Sequence, residues 1–124
     1  MFRMAKILKC DDCGSIIQVL VEDDGDACDA HMIKIPAQVE GDKAPKHKPV
    51  VEINGDKVTV KVGEVAHPMD DDHYIQFLVV EAGDEQYAKC FKPGDVAQAT
   101  FTVNSTDNVV ALAFCNQHGL WSSE

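Results

Sequence analysis

The chain has 124 residues, 45% of them hydrophobic and 26% charged; that is the composition of an ordinary soluble globular chain of about one domain, and it excludes disorder and collagen-like structure. No stretch approaches the roughly 20 apolar residues of a membrane span. The formal net charge of -10 argues against nucleic acid or an anionic membrane as partner, and any anionic substrate has to be met by a local positive spot working against the global field.

In chain order, the opening "MFRMAKILKC" has basic residues but neither an apolar core nor a small-residue cleavage site, so no secretory signal is read and a cytoplasmic location is expected. The five cysteines then read as reduced thiols and metal ligands rather than as a disulfide framework. Residues 1–36 form a first section, in which the short apolar segments "SIIQVLV" and "HMIKI" flank the acidic turn "EDDGDACDA" as a small hairpin-like unit. So few apolar residues need support from a metal or from the rest of the chain. Residues 36–49, "PAQVEGDKAPKHKP", are rich in proline and lysine and read as a linker or long loop.

From residue 50 the pattern is one of short strands. In "KVTVKV", Val58, Val60 and Val62 share one face while Lys57, Thr59 and Lys61 share the other, which is the period of a half-buried strand. "VVEI", "YIQFLVVEA", "QYAKCF", "VAQATFTV" and "VVALAFC" follow the same style, separated by "NGDK", "AGDE", "KPGD" and "NSTDN". Regular turn signals of that kind predict an all-β fold, an antiparallel β-sandwich of the immunoglobulin type over residues 37–124. No helix of convincing length and no internal repeat is apparent, and the run Val109 to Phe114 reads as the last core strand.

The histidines are unevenly spread: His31 in the first section, then His47, His67, His73 and His118. The last four fall at loops or element edges, where a rigid sandwich presents functional groups, and Cys115 stands at a strand end three positions before His118. Singly, each histidine reads as a solvated loop residue and Cys115 as a buried apolar filler. Together they make a candidate metal set. A blue-copper site wants an axial methionine soon after its last histidine, and the chain ends "GLWSSE". A structural zinc site wants four ligands and closure. Four imidazoles and one thiolate make five, which suits iron with one position open.

The segments "KCDDCGSIIQVL", "KHKPVVE", "VAHPMDDDHYIQF", "KPGD" and "FCNQHGLW", in that order, resemble the desulfoferrodoxin and superoxide reductase (neelaredoxin) family from about Lys9 to Trp121. The resemblance implies a small desulforedoxin-like unit at 1–36 followed by a superoxide reductase sandwich at 37–124. It implies one mononuclear non-heme iron with His47, His67, His73 and His118 as equatorial ligands, His118 through its ring nitrogen nearer the backbone, and Cys115 as the axial thiolate. The implied reaction is the one-electron reduction of superoxide to hydrogen peroxide, with re-reduction by rubredoxin or another small electron carrier, in a homodimer or homotetramer. Lys46 matches the catalytic lysine of the family's E-K-H segment, which steers superoxide and orders a proton-delivering water. The amides of Gln117 and His118 are expected to hydrogen-bond the sulfur.

Two departures qualify this. Pro45 stands where the family has glutamate, leaving the sixth position of the oxidised site to water, hydroxide or nothing. Cys10, Cys13 and Cys28 match three of four desulforedoxin ligands, with Ala27 at the fourth and His31 nearby; three thiolates are one short of a tetrahedral site. The first section is therefore expected to hold no stable metal, with zinc or a substituted iron centre as alternatives. Cys90 matches no ligand position and reads as a packing residue, while Met69 and Trp121 read as packing around the imidazoles. Two other functions compete: a non-catalytic iron-binding or storage module on the same fold, and a cupredoxin-like electron carrier.

Overall fold

A computed structural model of the chain describes residues 6–20 and 32–124. They divide into two compact units, Met1–Pro36 and Ala37–Glu124. Among the described residues no helix is long and apolar enough to cross a membrane.

In the first unit, β1 (Lys6–Cys10) lies between β2 (Ile16–Val19) and β3 (Met32–Lys34), antiparallel to both. Of these, β1 lies outside the two apolar segments picked out above, because "KILKC" has only two aliphatic residues, set between lysines, and ends in a thiol. Residues 11–15 reverse the chain between β1 and β2. The Cys10 amide donates to the Ser15 carbonyl at 2.8 Å and the Gly14 amide to the Cys10 carbonyl at 2.9 Å.

The second unit opens with β4 (Ala37–Gln38) and a single helical turn, α1 (Ala44–His47), then runs β5 (Pro49–Asn54), β6 (Lys57–Val62), β7 (Ile75–Ala82), β8 (Glu85–Cys90), β9 (Gln98–Thr102), β10 (Val110–Cys115) and β11 (Gly119–Ser122). One sheet has the order β4-β11-β10-β7-β8 and the other β5-β6-β9. Every pairing is antiparallel except the short parallel one of β4 on β11. This is the expected all-β sandwich. Its core draws Leu78, Val80, Ala82, Ala111 and Ala113 from the larger sheet and Val58, Val60, Val62 and Ala99 from the smaller. Each large aliphatic side chain sealed there contributes about 1.5–3 kcal/mol.

Three expectations need correction. Residues 36–49 are not all linker: β4 pairs with β11, and Pro45, with no amide hydrogen to leave unpaired, sits in the first turn of α1. His47 is therefore a helical residue. The run to Phe114 is not the last strand, because "GLWS" returns as β11 along β10; four residues starting with glycine carry too little alternation to announce a strand. Cys90 is exposed. It ends β8, the edge of the larger sheet, whose last three residues face solvent.

Candidate metal centre

Three separate parts of the second unit converge at one end of the sandwich. Gly63, just past β6, is what lets α1 approach. It has φ +60°, and a Cβ there would overlap the Pro45 carbonyl oxygen and lie 2.6 Å from the Lys46 carbonyl carbon and 2.8 Å from its Cα. Only glycine fits so close to another backbone. The Val65 amide then donates to the Pro45 carbonyl at 2.9 Å, and the loop that begins this way delivers His67.

The loop before β7 delivers His73, held in a bridge with Asp70. It is tied to the β10–β11 turn by side chains of that turn. Asn116 Nδ2 and Gln117 Nε2 donate to the Asp72 carbonyl at 3.1 and 2.6 Å, and Asn116 Oδ1 accepts from the Tyr74 amide at 3.0 Å. Cys115 ends β10 where the register against β7 shifts, between Phe114 opposite Phe77 and Cys115 opposite Ile75. Bulges of this kind re-aim side chains beside functional sites. Residues 116–118 close the turn and Gly119, at φ +86°, enters β11. The His118 carbonyl accepts from Gln38 Nε2 at 2.8 Å and from Trp121 Nε1 at 3.1 Å, which fixes the turn that carries this ring.

The candidate ligand atoms of His47, His67, His73 and Cys115 all lie within 4.8 Å of one another. His118 stands beside two members of this group: its Nδ1 is 3.1 Å from His47 Nε2 and 3.8 Å from Cys115 Sγ. The ring nitrogen nearer the backbone is thus the one turned inward. His47, His67 and Cys115 are buried, while His73 and His118 are partly so. Trp121 stacks on His47 with centroids 5.4 Å apart, as expected of a packing residue. Met69 packs against the core and its sulfur accepts from the Ile75 amide at 3.4 Å. The expected amide hydrogen bonds to sulfur are not formed. Among the described residues, the polar contact of Cys115 Sγ is the His118 ring.

The protonation of these rings tests whether a cation fits. His47 Nδ1 donates to the Lys43 carbonyl at 2.7 Å and His67 Nδ1 to the Pro68 carbonyl at 2.6 Å. A carbonyl can only accept, so both hydrogens sit on Nδ1 and both Nε2 atoms of the neutral rings are bare lone pairs. Yet the two Nε2 atoms face each other at 3.0 Å. Protonation could relieve the repulsion, but burial opposes it. Burial drives His67 down to about 4, against the pull of the Pro68 carbonyl, and also lowers His47 and His118, with the Lys43 charge among the further causes at both. His73 Nε2 is buried with no hydrogen-bond partner. A shared metal ion satisfies all of these atoms. Metal–nitrogen bonds of about 2.1 Å at right angles put neighbouring donors about 3.0 Å apart, the spacing observed, and carbonyl-anchored imidazoles are the usual outer support of metal-bound histidine. The residues therefore fit a metal.

Lys46 is exposed and lines, with Lys43, Asp42, Pro45, Val65 and Pro68, a cavity of about 360 Å³ reaching His47, His73 and His118. Lys43, Pro68, Gly63 and Gln38 escaped the sequence reading, since their parts are played by carbonyls, by a missing side chain and by one long-range amide. The cysteines of the first unit are placed differently. Cys10 is partly buried and Cys13 exposed; Cys28 and His31 lie outside the described residues. Cys13 Sγ lies 3.2 Å from Ser15 Oγ, and hydrogen bonds from Ser15, then from Cys10, to the thiolate bring its pKa down to about 7.

The family model of desulfoferrodoxin matches residues 39–124. The desulfoferrodoxin homologue of Archaeoglobus fulgidus is 42% identical over 99% of both chains, and the desulfoferrodoxin of Nitratidesulfovibrio vulgaris 40% identical over 96% of this chain and 95% of that one. In three dimensions the chain resembles the crystal structure of the superoxide reductase from Treponema pallidum, at a TM-score of 0.79 and 31% identity, covering 99% of this chain and 100% of that one. With four-tenths identity along almost its whole length, and with a histidine–cysteine cluster that could hold a metal, the chain belongs to the desulfoferrodoxin/superoxide reductase family.

Proposed function

We propose that the chain is a superoxide reductase, reducing superoxide by one electron to hydrogen peroxide at a single mononuclear iron held by His47, His67, His73, His118 and Cys115. The observation that carries this reading is the pair of bare Nε2 atoms of His47 and His67 facing each other at 3.0 Å beside the buried thiol of Cys115. Bound ferrous iron supplies the electron. The residues of the chain supply the rest.

Four neutral imidazoles and one thiolate cancel only one charge of a divalent ion, so the centre stays net positive and attracts an anion. Cys115, at the buried end of β10, would hold the ion through its sulfur and supply it with electron density. The cavity above His47, His73 and His118 opens to solvent past Lys46, whose ammonium steers superoxide inward and orders the water that delivers a proton to the product. Val65 and Pro68 give that cavity apolar walls. Pro45 offers no carboxylate, so the oxidised site lacks that cap. Re-reduction falls to a small electron carrier of the rubredoxin kind, and the working form is a homo-oligomer.

The test is to load the purified chain with iron, reduce it, mix it with superoxide and follow the visible thiolate-to-ferric band. Rapid appearance of that band, with peroxide formed, is expected. A chain that holds iron yet reacts no faster than buffer would be a storage module, and a chain that prefers copper would be an electron carrier; either sinks the proposal. Lys46→Ala is expected to slow the second-order step while leaving the iron content unchanged.

A further inference from the structure

Resting on the superoxide reductase reading, we propose that Lys43 is a second cation of the substrate entrance, acting with Lys46 to draw a small anion onto the His47–His118 side of the centre. The sequence carries a formal charge of -10, so the entrance has to reverse the sign locally. Among the described residues, the cavity above the imidazoles is lined by two ammonium groups, Lys43 and Lys46, against one carboxylate, Asp42.

The backbone fixes where Lys43 stands. It is the residue that caps α1, and its carbonyl holds His47 Nδ1 at 2.7 Å, so its Cα sits one helical turn from a ligand. Spacings of three and four residues put Lys46 and His47 on its side of that turn. Both lysines are exposed and line the cavity. Lys48, two residues on from Lys46, is instead turned away and donates to the carbonyls of Val39 and Glu124. Of the three lysines around α1, two therefore serve the entrance and one ties down the chain end. A cation facing a cleft raises the local anion concentration and the on-rate, and salt screens that effect.

The experiment compares the iron-loaded full chain with Lys43→Gln, Lys43→Arg, Lys46→Gln and the double variant Lys43→Gln/Lys46→Gln. Each substitution at 43 keeps the backbone carbonyl that holds His47, so unchanged iron content is the control. Two quantities are read: the second-order rate constant with superoxide by pulse radiolysis at low and high salt, and the azide dissociation constant of the ferric form from its visible band. Lys43→Gln is expected to lower the low-salt rate about two- to five-fold and to weaken azide by a similar factor. Lys43→Arg should restore both, and the rate difference should shrink at about 0.5 M salt, where the screening length falls to about 4 Å. Lys43→Gln matching the unsubstituted chain in rate, salt slope and azide affinity, while Lys46→Gln falls in all three, overturns the inference; so does a ferric chain that takes up no azide. An unsubstituted chain that binds azide but ignores superoxide defeats the reductase reading instead, and the azide comparison then decides Lys43 alone.

Discussion

The two units of this chain use the same donor chemistry in opposite ways. In the first, Cys10 and Cys13 flank one reversal of the chain, which is closed by two backbone hydrogen bonds and a serine hydroxyl between Cys10 and Ser15. In the second, the donors are spread over 72 positions, from His47 to His118, and two of the rings are aimed by backbone carbonyls close to them in the chain. A turn can lower the pKa of a thiol by hydrogen bonding, as at Cys13, but it surrounds an ion from one side only. Packing several elements against one another surrounds it from most sides and removes the water that would otherwise compete.

The largest expected effect tests that contrast directly. Cys115→Ser should abolish the thiolate-to-ferric band, and His47→Ala should lower metal affinity by more than the roughly 10–100-fold that loss of an outer partner costs. The visible spectrum of the ferric form checks the first and elemental analysis after dialysis against chelator the second; a surviving band in Cys115→Ser, or a near-stoichiometric ion in His47→Ala, would mean that the cluster is not the metal site.

Next come two glycines with similar torsions and different surroundings. Gly63→Ala, at φ +60° against the backbone of Pro45 and Lys46, should cost about 2–4 kcal/mol by denaturant titration and displace His47 as well. Gly14→Ala, at φ +79° with nothing within 4 Å, should cost only the torsional penalty of about 1–2 kcal/mol. Equal costs would show that α1 can shift away from Gly63, and that its approach is looser than the close contact implies.

The pH response sharpens the same point. His67 falls to about 4 in the fold, from an ordinary value near 6.5, and His47 and His118 move in the same direction. Between those values the unfolded chain binds more protons than the folded one, so the metal-free chain should keep its full stability above pH 6.5 and lose it progressively as the pH falls toward 4. Midpoints of thermal unfolding across that window measure this. A flat profile would mean that water reaches the rings, contradicting their burial.

The smallest expected effect is the double variant Cys10→Ser/Cys13→Ser. It should leave the metal content and the visible band of the second unit unchanged, because among the described residues every member of that cluster comes from the second unit. Loss of the band in this variant would break the division between the units.

Much of the sandwich was legible because its physics is local. The alternation in "KVTVKV" puts Val58, Val60 and Val62 in the core, where each is buried, and turn residues mark the ends of most strands. Short elements escaped for the converse reason. β4 has two residues and β11 four, and each is held by its neighbours in the sheet rather than by its own pattern. Cys90 misled because burial was inferred from residue type, whereas β8 is an edge strand and exposes its last turn of chain.

By itself, the sequence determined the family and singled out a candidate donor set, four imidazoles and one thiol in a characteristic order, together with a net charge that demanded a positive spot. Only the tertiary structure decided how those donors are aimed. The carbonyls of Lys43 and Pro68, the missing side chain of Gly63 and the Gln38 amide have no signature of their own, because a carbonyl belongs to every residue and acquires a role only from what folding brings beside it. The same holds for Lys43, whose ammonium is one of 11 basic side chains until α1 is packed against Gly63 and brings it to the mouth of the site.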